Sequence, residues 1–397
     1  MTVGLYSTAA TETAIDQYQQ AIDEQEALYG AYDSGLAELH LSFGEALQTA
    51  GEHQQAIDIF KRALHIRRVN DGITSLSQET ALRELNQSYR ATGNVSATAS
   101  NYQDLISLLQ VNPSSDANKL PPLLLEASNW HRQQYSMTVT KEAITHLIEA
   151  DRLLSQAKNN RLNSDQGFRE ALLQAEIQNR YWRIRHYQKY VPTPPRSYVE
   201  RNSFRFRGRL RGESSFEYQQ AYNDYLRRQT SRLARTYQKE QIQWAINSGL
   251  GAYQRLDKLY QNDNNSLQQA INLAEQGDWL MLFNTQPEQA HALYRQSWQV
   301  LTEQNQIDTR AKLFDKPQLL PTFHQPDATT ATQLAQVTAD LTPDGRTNNI
   351  VVVKTEPDNP KVAKRAERQL RNARFRNRME AGEPVTSKNF ELNFFVN

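Results

Sequence analysis

The sequence predicts a mainly α protein: a solenoid of repeated helix pairs followed by a small α+β domain. Three observations carry this reading. Gly (15) and Pro (14) are few among 397 residues, while Ala, Gln, Leu, Glu and Arg are abundant, a composition that favours helix. The first 113 residues repeat with a period of 42. Beyond residue 330 the pattern changes to short alternating runs around one amphipathic helix.

The repeat is carried by small and large residues at fixed offsets. Ala14, Ala56 and Thr98 are followed four residues later by Tyr18, Phe60 and Tyr102, and three further on by Ala21, Ala63 and Leu105. This spacing puts all three on one helix face. The upstream helix carries Phe43, Gly44 and Leu47 in one copy and Leu85, Asn86 and Tyr89 in the next, ending at Gly51 and Gly93. Those glycines suit a left-handed helix end. The small residues let two helices approach, and the aromatic fills the gap between pairs. Residues 12–113 therefore resemble the tetratricopeptide (TPR) pattern.

Downstream, Pro121-Pro122 reads as a break, after which Ala143, Leu147 and Ala150 keep the same rule. Residues 164–191 and 214–262 read as long helices. Asp278-Trp279 followed by Ala290, Tyr294 and Ser297 reads as a last TPR-like pair. The expected division is a TPR-like helical solenoid over 1–310, a linker over 311–330 marked by Pro317, Pro321 and Pro326, and a domain over 331–397.

In that last domain, Leu334–Leu341 alternates in part and Thr342-Pro-Asp-Gly345 has turn chemistry. A β-rich run spans Thr347–Thr355. The helix Asn359–Arg374 puts Val362, Ala366, Leu370 and Ala373 on one face. The closing strand places Phe390, Leu392, Phe394 and Val396 on one side, with Glu391, Asn393 and Phe395 on the other. The order is β-β-α-β. Together, Val337–Pro357, Ala363–Phe375 and Gly382-Glu-Pro-Val385 resemble the C-terminal domain of TonB. Ala373 and Asn377 stand where that family often has Trp and Pro.

The resemblance implies that the last strand captures an extended receptor segment by strand addition, through Phe390, Glu391, Leu392, Asn393, Phe394 and Phe395. With TPRs in place of a membrane helix and Pro-rich spacer, the chain is similar to TPR proteins of TonB-type systems. Its expected location is then the periplasm, a signal peptide before Thr2 having been removed; the cytoplasm is the alternative.

Residues 180–211 form a basic, aromatic-rich stretch. Arg183, Arg185, Arg201, Arg205, Arg207 and Arg209 make a candidate patch for an anionic partner. Such a stripe suits nucleic acid in principle, but a net charge of +1 argues against a dedicated nucleic-acid binder. The longest aliphatic run, Ile350–Val353, is far too short for the roughly 20 residues of a membrane helix.

Catalytic signals are absent. There is no Cys, which removes thiol nucleophiles and Cys-ligated zinc, and the eight His show no metal-ligand spacing. Ser155-Gln-Ala-Lys158 matches S-x-x-K, but the partner K-T-G is missing. No cofactor is expected. The functional expectation is a non-enzymatic adaptor of a TonB-type outer-membrane transport system, with partners in the TPR groove and at the C-terminal domain. The alternatives are a cytosolic TPR scaffold and an envelope ligand-binding protein that uses residues 180–211.

Overall fold

The computed structural model describes residues 3–113, 119–138, 140–159, 165–195, 197–199, 215–283, 286–321 and 333–395. Side chains are described within these ranges except at 3–14, 215–230 and 395. The chain divides into two compact units, residues 1–168 and 169–397.

Unit 1 is a succession of helix pairs. It contains α1 (Val3–Tyr29), α2 (Ser34–Thr49), α3 (His53–Asp71), α4 (Glu79–Ala91), α5 (Val95–Val111), α6 (Leu120–Met137) and α7 (Ile144–Asn159). The pairs are α2/α3, α4/α5 and α6/α7. Gly44 explains the first contact: a Cβ there would lie 2.3 Å from the Phe60 ring, so only glycine lets α3 seat its aromatic on α2. Phe60, Ala56 and Ala63 are all fully buried, and Tyr102 and Leu105 repeat the arrangement in α5. Gly51 and Gly93 have φ of 83° and 68°, the left-handed helix ends read from the repeat.

The structure adds a rung that the small–aromatic pattern does not contain. Asn70 Nδ2 donates to the Ile66 and Tyr32 carbonyls at 3.0 and 2.8 Å. Asn112 Nδ2 donates to the Leu108 and Thr74 carbonyls at 2.9 and 2.8 Å. Donors and acceptors both recur at the repeat period, so α3 and α5 each end by bracketing the loop that precedes their own pair. Pro121-Pro122 is not a break. It lies in the first turn of α6, where proline's missing N–H costs no helical bond.

Unit 2 begins within α8 (Gln166–Lys189) and continues through α9 (Ser215–Asn262), α10 (Ser266–Phe283), α11 (Pro287–Glu303) and α12 (Ile307–Phe314). Leu173, Ile177, Tyr181 and Ile184 of α8 share a core with Ala245, Tyr253, Leu256 and Tyr260 of α9. The expected last TPR-like pair is α10/α11. Gly277 lies against the Tyr294 ring as Gly44 lies against Phe60; a Cβ there would also sit at 2.3 Å.

The α+β part follows the expected β-β-α-β order with small additions. Its strands are β1 (Gln318–Leu319), β2 (Leu334–Leu341), β3 (Thr347–Glu356), β4 (Phe375–Arg376), β5 (Met379–Glu380), β6 (Glu383–Pro384) and β7 (Ser387–Phe395). Its helix is α13 (Pro360–Asn372). Asn359 caps α13 through its side chain, which accepts from the Lys361 N–H, and Val362, Ala366 and Leu370 are buried under it. The main sheet is antiparallel in the order β3-β2-β7. At the β2–β3 turn, Gly345 has φ 71°, and its carbonyl accepts from the Phe375 N–H at 2.9 Å. A Cβ on Gly345 would lie 2.4 Å from the Phe375 carbonyl oxygen.

The linker expectation is corrected over 311–321; residues 322–332 lie outside the described residues. Residues 311–314 close helix α12, and β1 pairs with β4 at Gln318↔Arg376 and Leu319↔Phe375. The reason is a buried ion pair. Arg376 Nε and Nη2 meet the two Asp278 oxygens of α10 at 2.8 and 2.5 Å, and Nη1 donates to the Leu313 carbonyl at 3.2 Å. The Tyr294 hydroxyl donates to the same carboxylate at 3.0 Å. The α+β part is thereby fastened to the last helices. Asn377, fully buried, brackets the Thr342 and Val385 carbonyls at 2.9 and 3.4 Å.

Glu275 is the third charge beside this pair. Burial, reinforced by the Asp278 carboxylate and opposed by Arg376, pushes its carboxyl up to about 7. A carboxyl raised in the folded state keeps its proton where the unfolded chain has lost it. Folding stability therefore falls as pH rises from the ordinary carboxylate range to about 7. Glu275→Gln is expected to raise the thermal midpoint at pH 8 and leave it nearly unchanged at pH 4; an equal shift at both pH values would remove the titration from the account. Separately, Phe60→Ala should destabilise the chain by about 3–5 kcal/mol, the cost of a buried Phe truncated to a cavity. Denaturant unfolding of the full chain checks it.

Candidate partner-binding site

Strand β7 is an edge. Among the described residues it pairs with β2 alone, so one row of its backbone N–H and C=O groups has no strand partner. Its register with β2 is unbroken from Leu334↔Phe395 to Ala339↔Phe390. The opposite edge, β3, is irregular in two places along β2, between Gln336 and Val337 and between Thr338 and Asp340. Bulges twist an edge away from a straight partner, so β7 is the better template.

Asp340 of β2 fixes where the regular part of β7 starts. One of its oxygens accepts from the Asn389 backbone N–H at 2.9 Å, and the other from Asn349 Nδ2 at 2.8 Å. Both asparagines have left-handed backbones, with φ of 48° and 49°. These bonds, the Asn349 side chain first, hold the Asp340 carboxyl below its ordinary range. Strand alternation gave no sign of this clamp. The available signal was Asn, the residue after Gly that best tolerates positive φ, recurring in the two outer strands.

The alternation itself is as expected. Phe390, Leu392 and Phe394 are partly buried on the face shared with Val337, Leu370 and Phe375, and Glu391 and Asn393 are exposed. Phe390 meets Phe375 edge to face at 5.5 Å. The side chain of Phe395 lies outside the described residues. Helix α13 packs over β3 and β2 rather than β7. Among the described residues, the inner row of β7 therefore stays only partly buried beside its unpaired backbone.

The basic patch is not assembled as read from the sequence. Arg201, Arg205, Arg207 and Arg209 lie outside the described residues. Arg183 is corrected: it is 7% exposed, with its guanidinium 4.7 Å from the Trp244 ring and Nη2 3.3 Å from Gln241 Oε1. Arg180 stacks on the same indole at 4.4 Å and donates to Ser248 Oγ at 2.8 Å. These arginines knit α8 to α9, because a guanidinium can bury its plane on an aromatic face while its edge hydrogen bonds. Arg185 is exposed and donates to Gln188 Oε1 at 3.1 Å.

Among the described residues, no group of three or more His, Cys, Asp or Glu side chains is placed to hold a metal ion. No helix among them is long and apolar enough to cross a membrane. The expected outcome of substitution follows burial: Arg183→Ala should cost about 1–2 kcal/mol through the lost cation–π and packing contacts, and Arg185→Ala close to nothing. Thermal unfolding of the two variants separates a packing arginine from a surface one.

No family model and no curated protein matches the chain. Among solved structures, a Podosopora anserina kinesin light chain of nearly identical TPR-like repeats is similar at 16% identity and a TM-score of 0.35. The likeness covers 46% of this chain and 84% of that one.

Proposed function

We propose that this chain is a non-enzymatic, partner-binding adaptor that captures an extended protein segment along β7. The observation that carries the reading is the β7 edge, regular in register over 390–395 and without a second strand partner among the described residues, with partly buried apolar side chains beside it. Strand addition draws affinity from main-chain hydrogen bonds, which any extended segment can supply, and specificity from alternate side chains. The helix pairs of unit 1 supply a scaffold for a second partner. The similarity of residues 337–396 to the TonB C-terminal domain supports a narrower form of the proposal. In it, the chain works in the periplasm as part of a TonB-type system, and the captured segment belongs to an outer-membrane receptor.

Proline provides the test. Successive strand residues direct their N–H groups to opposite sides, so of Leu392 and Asn393 one bonds toward β2 and the other toward the open edge. Proline at the outward position removes a capture donor and leaves the β2 ladder intact. Of Leu392→Pro and Asn393→Pro, one is expected to stay folded by circular dichroism. That variant should bind a periplasmic N-terminal receptor segment at least about tenfold more weakly than the parent, a loss of about 1.4 kcal/mol. Asn393→Ala keeps its donor and should bind normally. A folded proline variant that binds like the parent removes the edge mechanism. A parent that binds no such segment removes the TonB-system assignment.

A further inference from the structure

Helices α6 and α7 are joined by two histidines as well as by apolar packing. His131, in the last two turns of α6, is buried, and His146, in the first turn of α7, is partly buried. Their Nδ1 atoms lie 3.0 Å apart, a hydrogen-bonding distance. Two neutral imidazoles can make this bond: one ring carries its proton on Nδ1 and donates, and the other keeps a lone pair there and accepts. A first added proton goes to Nε2 of the donor ring and leaves the bond in place. A second puts N–H on both Nδ1 atoms, so two donors and two positive charges face each other. The bond therefore holds only while one ring is neutral.

The surroundings oppose that second proton. The Trp130 ring lies 4.7 Å from the His131 ring and 6.2 Å from that of His146, edge-on to both, and 5.6 Å from Tyr102 of α5. The charged groups facing His131 are Glu149 and Arg152, both from α7. Glu149 is already committed. It accepts from Arg152 Nε at 3.0 and 2.9 Å, from Arg152 Nη2 at 2.5 Å and from Gln103 Nε2 of α5 at 3.0 Å. Arg132, beside His131 on α6, turns to Ser128 and Asn129 of its own helix. Burial, reinforced by His146, pushes His131 down to about 4, and burial lowers His146 as well. In the unfolded chain both rings take up protons below the ordinary 6.5. The stability that the pair contributes is therefore present above 6.5 and is lost as pH falls from there to about 4.

We infer that the His131–His146 pair is a proton-sensitive latch that fixes α7 on α6 at neutral pH and releases the first turns of α7 in acid. Trp130 gives the latch an output. Besides touching both histidines, it lines a cleft with Tyr89 of α4, Val95 of α5, and Gln133 and Met137 of α6. A change at the pair thus reaches the surface between the second and third helix pairs of the scaffold. The latch stands on the geometry of the pair and does not depend on the reading of β7.

Hydrogen exchange of the full chain, read by mass spectrometry and corrected for the intrinsic pH dependence of exchange, tests the latch. Between pH 7.5 and pH 4, Ile144–Leu154 should lose at least about tenfold in protection while Ser34–Ile66 keeps its own. His146→Asn offers a neutral donor and acceptor near the Nδ1 position and cannot take up a proton. Over the same range its α7 protection should change by about threefold or less. His65→Asn, at an exposed position of α3, should behave as the parent does. Ring titration by NMR gives a second measurement that needs only the parent. Both histidines should titrate below 6.5, and in His146→Asn the midpoint of His131 should rise, one of its depressing charges being gone.

Loss of protection in both segments together is global acid unfolding and overturns the latch. Unchanged α7 protection in the parent at pH 4 overturns it as well. So does a His146→Asn variant that loses α7 protection as steeply as the parent, or a pair of rings that titrate at 6.5 in the parent.

Discussion

The architecture of unit 2 depends on the Asp278–Arg376 ion pair. The Arg376 side chain is 1% exposed and that of Asp278 9%, and the two meet through paired hydrogen bonds across 98 residues of sequence. Burying two such charges is costly, and their attraction offsets the cost only when the geometry is good and the remaining donors are used. Here they are used: Nη1 goes to the Leu313 carbonyl, and Tyr294 adds a hydroxyl to the carboxylate. Burial works against the Arg376 charge, but Asp278 more than offsets it and holds the guanidinium protonated. Each partner is unsatisfied without the other. The pair therefore specifies one docking of the α+β part onto α10 and α12, more than it adds net stability.

Around that pair the chain uses one packing device repeatedly. Gly44 faces Phe60, Gly277 faces Tyr294, and Gly249 faces Trp279, each glycine leaving room for a ring where a Cβ would clash. Dispersion contacts at such a site are lost quickly with distance, so a ring seated on a bare backbone holds two helices at one spacing. The same Tyr294 that fills the Gly277 gap sends its hydroxyl to Asp278. The repeat geometry and the ion pair are thus joined through one side chain. The polar rung of Asn70 and Asn112 does at the loops what the rings do in the core, holding successive pairs in phase.

The β7 edge follows from the same constraint. β4 is tied to β1 and Arg376 to α10, and beyond them β7 joins the sheet beside β2. Helix α13, capped at Asn359, covers the side toward β3. Among the described residues, what stays open is a strand in regular register over 390–395 with a partly buried apolar row. Such an edge invites pairing, and the physical question for this protein is which strand supplies it.

Much of the fold and part of the candidate site were legible in the sequence. The repeat, the long helices, the turn at Gly345 and the in–out alternation of Phe390 to Phe394 are all local patterns. Helix period, strand period and backbone freedom set them within a few residues, and tertiary packing had only to agree. The edge position of β7 was implied by the TonB-like order and not by any property of its residues. The irregularities that blunt β3 and the Asp340 clamp appeared only once the strands were paired. Charge was the least legible feature. Arg183 and Arg185 lie two residues apart in one basic run, yet one is buried on Trp244 and the other faces solvent. Residues 311–321 read as a linker because proline spacing describes the local backbone, while their role depends on Arg376 far along the chain. The sequence by itself determined which segments are helix or strand and which face of each is apolar. Only the tertiary structure decided which charges are paired and which edge is open, because a buried ion pair and a strand ladder join residues whose separation no local period records.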